Sequence, residues 1–202
     1  LFEGCAAGGN RFDLGILCYF PQIWASDNTD AVSRAYIQEG LSYGYPMSTV
    51  SAHVSACPNH QTLRVTPLST RFNVAAFGIC GYECNLVDMS RAERSEIKTQ
   101  IDIYKKWRHT MQFGSFYRQR TGNIHQWTVV DEEAGRAVGL IMQELVRANT
   151  QNEEYYAAGL DPEAVYSFYN RPLKHNVKEF GDLINTVAPI HIRQGSLLHV
   201  MV

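Results

Sequence analysis

The chain has 202 residues, 45% hydrophobic and 19% charged, with a formal net charge of −2. These figures sit near the globular average, so a packed core in one domain or two small ones is expected. They exclude the basic stripe of a nucleic-acid binder, and no run reaches the roughly 18 apolar residues that a membrane span needs.

The first residue is Leu1, and no charged stretch followed by an apolar one marks a signal peptide. The chain reads as the tail of a longer protein. "LFEGC" is a short apolar run, followed by the glycine-rich "AAGGNRFD"; "ILCYFPQIWAS" is another, ending at the polar cluster "DNTD". Residues 29–41 read as a helix. "MSTVSAHVSA" is rich in small and β-branched residues, which suits a buried strand, and the polar loop "CPNHQT" follows. Residues 69–80 again read as a helix, with Phe72, Ala75, Ala76 and Ile79 at helical spacing. This rhythm of strand, polar loop and helix predicts parallel βα units.

Ser90 and Glu93 have the spacing of a capping box. Ile97, Ile101, Tyr104 and Trp107 then recur at helical spacing, and the helix is expected to end at Phe113-Gly114. Beyond it the texture changes. "SFYRQ", "IHQWTVV", "AVGLIMQELVR", "AVYSFYN" and "LLHVMV" are short strand-like segments, separated by "TGN", "DEEAG", "GLDPE" and "NRPLK". That pattern predicts an antiparallel β domain. The boundary is placed at residue 115, giving domains 1–115 and 116–202.

The cysteines are Cys5, Cys18, Cys57, Cys80 and Cys84. An odd, irregularly spaced set is a poor disulfide framework, so reduced thiols and a cytoplasmic protein are expected. Neither Cys80-x3-Cys84 nor His53-x3-Cys57-x2-His60 has zinc spacing with a second ligand pair. No metal or other cofactor is expected.

Three polar loops follow the strand-like runs, at 5–13, 26–30 and 57–62. By themselves they are weak signals. A carboxylate pair at i, i+3, such as Asp27 and Asp30, serves most simply to cap a helix, where the dipole favours anions.

Four stretches carry a resemblance. "EGCAAGGNRFD" is similar to the C-x-x-G-x-x-R loop of the glycoside hydrolase family 36 α-galactosidases, through Cys5, Gly8 and Arg11. "WASDNTDAVSR" is similar to that family's S-D-x-x-D element. "SAHVSACPNHQTLRVTPLSTR" resembles its run after the last barrel strand, and "GYECNLVDMSRAERSEIKTQIDIYKKWR" resembles its closing helix. Order and spacing agree across most of residues 2–118.

The resemblance implies an α/β fold: the C-terminal part of a (β/α)8 TIM barrel followed by an antiparallel β-sandwich. It implies a retaining glycosidase acting on terminal α-galactosyl residues of melibiose- or raffinose-type oligosaccharides. Such an enzyme uses a nucleophilic carboxylate and an acid/base carboxyl about 5–5.5 Å apart. The resemblance places the acid/base on Asp27 and the nucleophile upstream of residue 1, so residues 1–202 alone are expected to be inactive. Asp30 is the rival, with an i,i+4 ion pair to Arg34 as its simpler role.

Cys5 and Gly8 match positions that line the galactose site, and Arg11 is expected to brace that loop. With no His or Asn identifiable as a base, Cys5 is not read as a nucleophile. Trp24 is open between sugar stacking and core packing; His53 and His60 fall near the barrel mouth. Leu63 stands where the family's H-Q-T-G-R run has glycine, and Ala6, Ala7 and Asn10 replace common Ser or Gly. Two other readings stay open: a galactosyl transferase of the same superfamily, and a non-catalytic carbohydrate-binding fragment. A homo-oligomer is expected for the full-length protein.

Overall fold

The computed structural model describes residues 2–5, 12–145 and 157–161, and the backbone alone at 165–168, 171–174 and 196–201. It divides into two units, Leu1–Phe113 and Gly114–Val202.

In the first unit, strands β1 (Glu3–Gly4), β2 (Gln22–Trp24), β3 (Val50–Ser55) and β4 (Ile79–Glu83) form a parallel sheet in that order. Period-two alternation sorts the side chains. Ile23, Val50, Ala52 and Val54 are buried on one face. Trp24, Ser51, His53, Ser55 and Glu83 belong to the other.

The helices are α1 (Ala31–Leu41), α2 (Leu68–Ala75) and α3 (Arg91–Phe113). Gln38 Nε2 donates to Val74 O at 2.9 Å and ties α1 to α2. Tyr104 OH accepts from Cys80 N at 3.0 Å and donates to Gly78 O at 3.1 Å, which ties α3 to the start of β4. Burial pushes the Cys80 thiol up to about 12, so it stays un-ionised. The capping box is reciprocal: Ser90 N donates to Glu93 Oε2 at 2.8 Å, and Glu93 N to Ser90 Oγ at 3.2 Å. The helix ends at Phe113, before Gly114.

One expected helix is too long. The run 69–80 is helical only to Ala75, and Ile79 and Cys80 belong to β4, paired with Ser51 and Ala52. Hydrogen bonds to β3 override a weak local helical pattern, as they commonly do for short apolar runs.

The second unit is a six-stranded antiparallel sheet: β5 (Ser115–Thr121), β6 (Ile124–Asp131), β7 (Arg136–Gln143), β8 (Val165–Phe168), β9 (Arg171–Lys174) and β10 (Ser196–Met201). Its order is β5-β6-β7-β10-β8-β9. The β5–β6 hairpin turns on Gly122-Asn123, with Gly122 at a φ of 60° that a two-residue hairpin of this hand requires. Trp127, Val129, Leu140 and Met142 are fully buried on β6 and β7. "NRPLK", expected as a turn, instead supplies β9. Pro172 lies on an edge strand, where its missing N–H costs no ladder bond.

Candidate active site at the carboxyl ends of the parallel strands

Because β1 to β4 run parallel, the loops that follow them open at one edge of the sheet, where α/β proteins gather ligand-binding groups. Asp27 lies there, exposed, in the loop between β2 and α1. Cys5 is exposed directly after β1. Gly8 and Arg11 lie outside the described residues.

Asp30 is in a different situation. It is the N-cap of α1, and its Oδ2 accepts from Ser33 N and Ser33 Oγ, each at 3.0 Å. The same oxygen takes Arg64 Nη1 at 2.6 Å, and the Asp30 side chain is 1% exposed. The expected partner was Arg34, one helical turn on. The cation found is Arg64, 34 residues away on the loop after β3. Arg34 is committed elsewhere. Its Nη1 donates to Ser51 O at 3.2 Å and its Nη2 to Ser26 O at 3.0 Å, while its guanidinium covers the Trp24 ring at 4.8 Å.

The β2–β3 ladder stops at Trp24–Ser51. Beyond it the Arg34 guanidinium bridges the two backbones. Burial pulls Arg34 down to about 10, with the Glu83 and Asp27 charges opposing, so it remains a cation at neutral pH. Arg71 repeats the device at the same, fourth position of its helix, donating from Nε to Thr66 O at 3.1 Å and from Nη1 to Ser55 O.

Trp24 is half-buried against His53, ring centroids 4.4 Å apart. His53 Nδ1 stands 3.9 Å from Glu83 Oε2. Burial draws His53 below its usual range, and Glu83 opposes this. Across the strand pair, Gly81 makes room for the ring: a Cβ there would stand 2.6 Å from His53 Cδ2. His60 is exposed on the loop after β3.

That loop is organised by Asn59, whose significance the sequence reading missed. Its Oδ1 accepts from Gln61 N and Thr62 N at 3.0 Å each, and its Nδ2 donates to Thr29 Oγ1 at 3.1 Å. An Asn followed by polar residues is an Asx-turn signal that was available in "NHQT". Leu63 in the same loop has a φ of 57° and is 76% exposed. Glycine is at ease in that conformation, and a β-branched residue is not. Leu63→Gly is therefore expected to raise the melting temperature slightly, the relief of about 1 kcal/mol being partly offset by chain entropy. Leu63→Val should lower it. Calorimetry on both variants checks the opposite signs.

The Melibiase family model matches residues 1–114, and the model of the glycosyl hydrolase family 36 C-terminal domain matches residues 124–194. The chain belongs to glycosyl hydrolase family 36. It is 45% identical over 168 residues to alpha-galactosidase Mel36A of Lactobacillus acidophilus, covering 82% of this chain and 23% of that protein. It is 45% identical over 169 residues to the bifunctional alpha-galactosidase/sucrose kinase AgaSK of Mediterraneibacter gnavus, covering 82% and 18%. The crystal structure of alpha-galactosidase AgaA from Geobacillus stearothermophilus superposes with a TM-score of 0.90 at 38% identity, covering all of this chain and 28% of AgaA. The chain thus spans about a quarter of the length of these proteins.

Proposed function

We propose that this chain is the C-terminal part of a retaining α-galactosidase, comprising the end of a (β/α)8 barrel and an antiparallel β-sandwich. The observation that carries the reading is the division of labour between two aspartates. Asp30 is buried and committed to its cap and to Arg64, whereas Asp27 is exposed at the carboxyl edge of the strands. Solved complexes of AgaA variants with raffinose and stachyose support α-galactosyl oligosaccharides as the substrate class.

In this mechanism Asp27 protonates the glycosidic oxygen as the sugar transfers to a carboxylate nucleophile supplied by the remainder of the intact protein. Asp27 then takes a proton from the water that frees the galactose. Cys5 and Gly8 are assigned to the wall of the galactose site. The five free thiols suit a reducing, cytoplasmic setting.

The test is to follow the intact protein on raffinose by NMR. Galactose should appear first as the α anomer, together with sucrose. A first-formed β anomer would refute retention, and galactose appearing only on another sugar would establish the transferase.

A further inference from the structure

Three contacts join the end of β3 and the loop after it to the connection that carries Asp27. Ser55 Oγ donates to Thr29 O at 3.1 Å, Asn59 Nδ2 to Thr29 Oγ1 at 3.1 Å, and Arg64 Nη1 to Asp30 Oδ2 at 2.6 Å. The first two lie among buried groups. Among the described residues the Asp27 carboxylate acts on Arg34 through its charge, and the backbone on which it stands is held on both sides. That backbone is fixed at Ser26 by Arg34, and at Thr29 and Asp30 by the neighbouring loop.

We propose that Arg64 is a positioning residue for Asp27: a cation on one strand–helix connection that holds the proton-donor loop of the connection before it. The inference rests on the assignment of Asp27 as acid/base.

The asymmetry of the pair gives the reason. The Arg64 side chain is 44% exposed and the Asp30 side chain 1%. An ion pair open at both ends contributes little. Here, removing the open partner leaves a buried carboxylate with only Ser33 for company. Its second oxygen, Oδ1, is buried and has no hydrogen-bond partner among the described residues. Such a charge must reach water or take up a proton, and either outcome shifts the segment three residues after Asp27. A proton donor displaced by a fraction of its hydrogen-bond length loses rate on substrates that need the proton, and little on those that do not.

The experiment uses the intact protein and two substrates, raffinose with its poor leaving group and p-nitrophenyl α-galactoside with a good one. Arg64→Met should lower kcat/KM for raffinose by about tenfold to a hundredfold and that for the aryl galactoside by less than about threefold. Arg64→Lys, which can still place one N–H on Oδ2, should recover most of the loss. Adding Asp30→Asn to Arg64→Met should cost much less than the separate effects predict, because the neutral amide no longer needs the cation.

Asp27→Ala is run alongside. If it splits the substrates while Arg64→Met and Arg64→Lys leave them unsplit, or lower both equally, the positioning role is wrong and the acid/base assignment stands. If Asp27→Ala gives no split, that assignment fails first, and this inference with it. Should Arg64→Met not fold, Arg64→Gln, which removes the charge but keeps a polar end, decides by the same split.

Discussion

Asp27→Ala in the intact protein is expected to lower kcat/KM for raffinose by about 10²–10⁴-fold, the usual worth of a positioned proton donor. The same change should scarcely alter kcat/KM for an aryl α-galactoside, whose phenolate leaves unaided. On that second substrate kcat should nevertheless fall. Under the proposed mechanism the galactosyl-enzyme must still be hydrolysed, and Asp27 is the base that would activate the water. A burst of phenol followed by slow turnover is the signature. Equal losses on both substrates, or a mild effect on raffinose, would move the acid/base elsewhere. Asp30 would not inherit the role easily, because it is buried beneath Arg64 and capping α1.

Arg34→Met carries the second large effect, on stability. The side chain is 2% exposed and donates to two main-chain carbonyls, Ser26 O and Ser51 O. Methionine preserves much of the volume but offers no donor. Two charge-assisted bonds in a buried setting are worth about 1.5–3 kcal/mol each, against which stands the cost of burying the guanidinium, visible in its pull down to about 10. The net loss is expected to be about 3–5 kcal/mol. Arg34→Lys should recover only part of it, since one ammonium cannot span both carbonyls with the fixed fork of a guanidinium. Thermal and denaturant unfolding of the two variants measures this. A melting temperature for Arg34→Met within a degree of the parent would show that the bridge adds nothing.

What the sequence made legible was mostly local. The Ser90–Glu93 cap, the end of α3 at Phe113 and the turn at Gly122 each depend on a few neighbouring residues, and each is found as expected. The Asp27 loop was legible because a motif of contiguous residues marks it. The errors arise where distant segments decide. Ile79 and Cys80 fit a helical pattern until β3 offers them partners, and Arg171–Lys174 looks like a turn until β8 pairs with it. Asp30 was assigned the cation one turn away because only spacing along the chain was available. Its actual partner comes from another loop, and Asn59 reaches Thr29 across 30 positions. Contacts of this kind follow from the parallel arrangement of strands, which brings successive connections together at one edge.

Gly81 and His53 stand opposite one another in register, with no room for a methyl group between them. The two positions are therefore unequal as steps in an evolutionary path. A residue smaller than histidine at position 53 leaves Gly81 as it was, and opens space that an alanine at 81 can later fill. The reverse order meets the imidazole first, whose ring centroid is 4.4 Å from that of Trp24. The easier order is therefore loss of the ring at position 53 before gain of a side chain at position 81, because the opposite order requires the imidazole to move first.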